Sequence, residues 1–139
     1  MKTFVTNSVC ETEQLAAVFA QSLRAPAVVA FFGGLGMGKT AFTRGLAKGL
    51  GINAEVSSPT FALVHRYKGA DVTLCHYDMY RVETWEDLET TGFFEDFDSG
   101  CILAVEWSEN IENALPEQTV RVTIAPGETE NQRIITIED

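Results

Sequence analysis

Ala27-Val28-Val29-Ala30-Phe31-Phe32-Gly33-Gly34-Leu35-Gly36-Met37-Gly38-Lys39-Thr40 decides how this chain is read. Six apolar residues run without interruption into glycine, as in a strand buried on both faces of a sheet. Gly33 to Thr40 then has the form G-x-x-x-x-G-K-[ST], whose glycines let successive backbone N–H groups turn inward on an anion with no Cβ in the way. Beyond it Phe42, Leu46 and Leu50 recur at helical spacing, and Gly51 stands where a helix C-terminus takes a left-handed residue. Strand, glycine loop and helix in this order are the context a phosphate-binding loop requires. In such a loop Lys39 supplies a point charge for the β- and γ-phosphates and Thr40 a hydroxyl for Mg²⁺, while the helix points its positive N-terminal end at the same phosphates. Gly33, Leu35, Gly36, Met37, Gly38, Lys39, Thr40 and Ala41 form the phosphate side of the expected site.

Composition narrows the class. The 139 residues, 45% of them hydrophobic, suit a single domain over residues 1–139 with a core of its own. Cys10, Cys75 and Cys101 are odd in number and widely spaced, which supports neither a disulfide framework nor a zinc site. Met1 to Thr6 lack an apolar signal core, and the longest apolar stretch, around residues 27 to 37, is far shorter than a membrane span, so a cytoplasmic setting without membrane contact is expected. The formal net charge is −10 and no basic run occurs. Affinity for nucleic acid rests largely on phosphate neutralisation, so any such role is expected to run through partner proteins.

The rest of the chain predicts a compact α/β domain with a mixed, mainly parallel sheet flanked by helices. Residues 3 to 6 read as a short strand. Ser8 to Glu11 has the spacing of a capping box, followed by Leu15, Phe19 and Leu23 as the apolar stripe of a helix. Phe61 to Tyr67 and Val72 to Tyr77 form a hairpin about Lys68-Gly69-Ala70-Asp71. A short acidic helix covers Trp85 to Thr90, and the Gly-Phe-Phe segment after it packs on the core. Cys101 to Val105 is a second buried strand, and Val120 to Ile124 and Arg133 to Ile137 are two more, joined through Pro126-Gly127.

A phosphate loop needs acidic residues to hold Mg²⁺ from the opposite side, and two stand at strand ends. Glu106 closes the fully apolar run Cys101 to Val105 and is preferred as the acid of the central strand. Asp78 closes Val72 to Tyr77 and is assigned a supporting or switch role. Thr60, after Ser57-Ser58-Pro59, reads either as a sensor of the γ-phosphate or as the first residue of a strand behind a proline turn. His76 either orients Asp78 or fills a half-buried strand position, the second being preferred.

Gly-x-Leu-Gly-x-Gly-Lys-Thr, Ser58-Pro59-Thr60-Phe61, His76-Tyr77-Asp78-Met79-Tyr80-Arg81 and Glu106-Trp107, in this order across nearly the whole chain, resemble the TsaE (YjeE) family. These are bacterial ATPases of the threonylcarbamoyladenosine tRNA-modification pathway. The resemblance implies hydrolysis of ATP with Mg²⁺ in a complex with TsaB and TsaD, the pair that transfers threonylcarbamoyl to adenosine 37 of tRNAs decoding ANN codons, so tRNA is reached only through the complex. It assigns Gly36 to Thr40 to phosphate binding, Thr40 and Glu106 to Mg²⁺, and Thr60 with Asp78 to a switch around the γ-phosphate; with Lys39 these are the catalytic candidates. Trp107 corresponds to a tryptophan close to the nucleotide, the alternative being core packing. Arg133 corresponds to an arginine near the base, the alternative being a solvated strand residue, and Glu11 or Thr12 to an N-terminal segment touching the base. Gly34 stands where an aspartate is common and Met37 where a small residue is common, which bears on affinity and turnover and leaves the phosphate nest intact.

The mechanism expected is in-line attack of water on the γ-phosphate, slow for the chain alone and faster with partners, because no arginine announces itself as a finger in cis. A small-molecule kinase shares the loop but needs an acceptor pocket and an arginine-rich lid. A GTPase shares it too, but the guanine-specifying Asn-Lys-x-Asp sequence is absent. A nucleotide-dependent binding module that does not hydrolyse is the third class. The oligomeric state is left open by the sequence.

Overall fold

Ala27–Phe32 forms β2, and its four inner residues are buried because the strand is the fourth of seven in the sheet. The computed structural model describes residues 1–33, 38–59 and 62–139. Across the sheet run β1 (Lys2–Thr6), β7 (Arg133–Glu138), β6 (Val120–Pro126), β2, β5 (Ile102–Glu106), β4 (Thr73–Asp78) and β3 (Val64–Lys68). The parallel pairs β6–β2, β2–β5 and β5–β4 are gathered at the centre; the antiparallel pairs β1–β7, β7–β6 and β4–β3 lie toward the margins. All five residues of β5 are buried, as its uninterrupted apolar run requires.

The period of two divides the strands between two layers. Val29, Phe31, Leu74, Ile102 and Ala104 pack with α1 (Val9–Ala20) and α2 (Lys39–Gly49). Val28, Ala30, Cys75, Tyr77, Leu103 and Val105 pack with α3 (Trp85–Glu89), α4 (Phe93–Asp98) and a 3₁₀ segment, Ser108–Ala114. Neither α4 nor the 3₁₀ segment is legible in the sequence as a helix. Phe93 buries its ring as the Gly-Phe-Phe reading expects, but the chain around it coils into a short helix. Asp96 on α4 accepts from Arg66 Nε (3.1 Å) and Nη2 (2.9 Å) and from the Tyr77 hydroxyl, which ties the helix to β3 and β4. Ligand atoms of Cys75, Cys101 and Asp96 come within 4.8 Å of one another, with the carboxylate already committed to the guanidinium.

Helix ends follow local chemistry. Ser8 Oγ accepts from the Glu11 amide at 3.1 Å, whereas the Glu11 carboxylate accepts from Asn7 N at 2.9 Å, one residue before the cap, so only half of the expected capping box forms. At the end of α2, Ile52 N donates to Ala47 O (2.9 Å) and Gly51 N to Lys48 O (3.1 Å), with Gly51 at φ +75°. That is the left-handed stop its position predicts. The hairpin closes through Gly69 N to Val72 O at 2.9 Å. Its first described strand residue is Val64, and the expected start at Phe61 lies outside the described residues. Among the described residues no helix is long and apolar enough to cross a membrane.

α1 and α2 approach so closely that glycine is required between them. A Cβ on Gly45 would stand 2.3 Å from Glu13 O, and one on Gly49 2.3 Å from Ala17 O. The buried face of α1 is therefore Thr12, Ala16 and Ala20, while Leu15, Phe19 and Leu23 of the expected stripe are half-buried at its flank. Glu13 closes the crossing, accepting from Lys48 (2.6 Å) and Arg44 (3.1 Å). Gly45→Ala should lower stability by about 2 kcal/mol, overpacking outweighing the gain in helix propensity; an unchanged or raised urea midpoint would refute the close crossing. The hydrogen bond from Lys48 and then that from Arg44, against an opposing contribution from burial, hold the Glu13 carboxyl below the ordinary glutamate range. Its stabilisation is thus complete above the unfolded value of about 4.3 and lost as pH falls through the lower folded one. Glu13→Gln should cost less than about 1 kcal/mol at pH 7 and progressively less as pH is lowered below the ordinary glutamate range, and a deficit in urea melts that does not shrink on acidification would exclude the ion pairs as the cause.

Candidate functional site

The C-terminal ends of β2, β5 and β4 bring the sequence candidates together. Gly33 follows β2 at φ +98° and Gly38 precedes α2 at φ +104°, backbone angles that favour glycine. Lys39 opens α2 and is only 3% exposed, and its Nζ donates to Gly33 O at 3.1 Å across the loop. Thr40 is half-buried in the first turn, and Ala41 is buried. Leu35, Gly36 and Met37, with Thr60 of the expected switch, lie outside the described residues.

Parallel pairing of β4 with β5 sets Asp78 opposite Glu106. Asp78 and Glu106 are 6% and 7% exposed as residues. Burial raises the Asp78 carboxyl above its ordinary range and the nearby Glu106 adds to this, while the Tyr80 amide, His76 and Lys39 act against it. Asp78 Oδ1 accepts from Tyr80 N at 2.9 Å; Glu106 Oε2 is bonded to His76 Nε2 at 2.6 Å. His76 therefore addresses Glu106, and the expectation that it orients Asp78 or sits half-buried is corrected: it is fully buried, one step back on the same sheet face. Two acids, a lysine and a threonine at one sheet end form an oxygen-rich set that could hold a hard divalent cation beside a phosphate chain.

Trp107, directly after Glu106, adopts φ +58°, an uncommon conformation for a bulky residue. Its ring is half-buried, lies 4.9 Å from that of Tyr80, and has Lys39 Nζ 5.7 Å from its centroid. A cleft of about 560 Å³ opens against Tyr80, Trp107 and Asn110. On the other side of the α2 N-terminus, Thr12, Gly38, Ala41 and Arg133 line a small cleft of about 70 Å³. Thr12 is buried and shares a 2.7 Å hydrogen bond with Thr6, whereas Glu11 is exposed and caps α1. Arg133 Nη1 donates to Glu130 O (2.7 Å) and Gln132 O (2.8 Å), which braces the guanidinium at the turn before β7.

Four contacts escape sequence reasoning. His76 holds Glu106, Tyr80 packs on Trp107, Asn110 donates to Met79 O at 2.9 Å, and Glu109 Oε2 accepts from Gly33 N at 3.4 Å. Only His76 left a signal: the strand period places residues 76 and 78 on one face.

Known proteins resemble this chain in sequence and in fold. Residues 6–135 match the family model described as threonylcarbamoyl adenosine biosynthesis protein TsaE. Proteins named tRNA threonylcarbamoyladenosine biosynthesis protein TsaE are similar throughout: that of Rickettsia felis is 38% identical, covering 96% of this chain and 77% of the relative. That of Treponema pallidum is 38% identical over 86% of this chain and 88% of its own. The crystal structure of Bacillus subtilis YdiB superposes with a TM-score of 0.80 at 31% identity, covering 98% of this chain and 83% of that one. A chain matched over nearly its whole length by the family model, by relatives and by a solved fold belongs to the TsaE family of threonylcarbamoyladenosine biosynthesis proteins.

Proposed function

We propose that this chain binds and hydrolyses ATP with Mg²⁺ and spends the cycle on a cytoplasmic complex with TsaB and TsaD that forms threonylcarbamoyladenosine at position 37 of tRNA. The observation that carries the reading is the burial of Lys39, Asp78 and Glu106 together at the sheet end where the phosphate loop begins. Burying ionisable groups is costly, and a cluster of them held at the end of a sheet beside a cleft is the mark of a functional site.

The chain's own steps follow from its geometry. Lys39 exchanges its bond to Gly33 O for a phosphate oxygen, and the N-terminus of α2 adds its amides and dipole. Thr40 and Glu106 would hold Mg²⁺, which when bound would neutralise negative charge on the phosphate chain. Asp78, braced by the Tyr80 amide, stands beside Glu106 as the carboxylate that responds to the γ-phosphate, with Thr60 as its partner in the switch. Trp107 and Tyr80 wall the phosphate side, and Arg133 with Thr12 and the Glu11 segment border the base. An arginine supplied by a partner is worth roughly 10³ to 10⁵ in rate for such hydrolases, so turnover is expected to be slow for the chain alone. The net charge of −10 agrees with tRNA being met through the partners.

Phosphate release from ATP and Mg²⁺ by the purified chain, alone and with TsaB and TsaD, tests this. Stimulation by the partners that Lys39→Ala lacks, with the variant's circular dichroism unchanged, is the expected result. Lack of stimulation would favour a binding module, and transfer of phosphate to an added metabolite a kinase. Arg133→Ala should weaken ATP about tenfold, one lost charged contact, and equal affinity by calorimetry would remove Arg133 from the base side.

A further inference from the structure

Among the described residues Glu106 accepts one side-chain hydrogen bond, from His76 Nε2 to its Oε2 at 2.6 Å. His76 has no exposure, and its Nδ1 is buried without a hydrogen-bond partner among the described residues. A proton on Nδ1 would be a buried donor with no acceptor, and Nε2 would then face a carboxylate oxygen with a lone pair. Both penalties vanish in the Nε2–H tautomer, which donates to Glu106 and leaves a bare lone pair at Nδ1.

The register explains why the imidazole reaches this acid. His76 pairs with Ala104 and Asp78 with Glu106. Ala104 offers only a methyl opposite the imidazole, so the ring is free to reach the next residue on that face of β5, Glu106. Asp78 is held differently, by the backbone amide of Tyr80. Among the described residues each carboxylate thus has its own donor, a backbone amide for Asp78 and a side chain for Glu106.

We infer that His76 is a positioning residue for Glu106: as the Nε2–H tautomer it fixes Oε2 and leaves Oε1 to face a divalent cation. This rests on the reading of Glu106 as the carboxylate that holds Mg²⁺. Partners of this kind typically change metal affinity by about 10- to 100-fold when removed.

Mn²⁺ is the probe, titrated by electron paramagnetic resonance into the full chain with ADP present, alongside affinity for a fluorescent ADP analogue in EDTA. His76→Leu should weaken Mn²⁺ at least about tenfold with metal-free nucleotide affinity within about twofold. His76→Gln, whose amide is a donor of similar reach, should recover most of the loss. Unchanged Mn²⁺ affinity in His76→Leu, together with a loss in Glu106→Gln, would overturn the positioning role and leave the Glu106 reading standing. Unchanged affinity in Glu106→Gln would remove that reading itself. Long-range ¹H–¹⁵N correlation on the unmodified chain needs no variant to fold: a proton on Nε2 is expected, and one on Nδ1 overturns the inference.

Discussion

Parallel pairing of β4 with β5 is the constraint on which the rest depends. It places two carboxylates opposite each other where water is largely excluded, next to the strand that leads into the phosphate loop. Repulsion between them would disfavour the fold were it not met locally: the Tyr80 amide braces Asp78, His76 holds Glu106, and Lys39 lies close enough to act on the Asp78 carboxyl. The sheet end is thus charged, dry and only partly compensated, which suits a site that gains stability when a polyanion and its cation arrive together.

The other elements serve to hold this end of the sheet. α2 must begin beside β2 for Lys39 to bridge to Gly33, and its position is set by the glycine-mediated crossing with α1. α1 in turn presents Thr12 toward Gly38, Ala41 and Arg133, so one helix contact bears both on the start of α2 and on the small cleft beside it. On the opposite face, the 3₁₀ segment carries Asn110 to the carbonyls of Met79 and Tyr80 and thereby anchors the turn that braces Asp78. These supports are distant in sequence from the residues they position, which is how a small domain keeps several charged groups oriented.

Much of this was legible in the chain because strong local patterns coincide with the site. The apolar run before Gly33, the stop at Gly51 and the acids ending two strands all stand where the sequence puts them. What escaped depends on pairing partners. Nothing local says that His76 faces Ala104, yet that register directs its imidazole to Glu106 rather than to Asp78 two residues away. Leu15 and Phe19 dominate the hydrophobic pattern of α1, but Gly45 and Gly49 draw the helices together along the smaller Ala16 and Ala20. α4 is hidden for a similar reason, since its acidic Asp96 gains its partners only once Arg66 and Tyr77 arrive from the hairpin.

The central claim is that the buried end formed by Lys39, Asp78 and Glu106 receives the triphosphate of ATP with Mg²⁺. A crystal structure with Mg²⁺ and a non-hydrolysable ATP analogue tests it most directly. Expected is the phosphate chain at the N-terminus of α2, Lys39 Nζ moved from Gly33 O to a phosphate oxygen, and the cation between Thr40 and Glu106. A nucleotide bound elsewhere, or Lys39 still bonded to Gly33 O with the nucleotide in place, would contradict it.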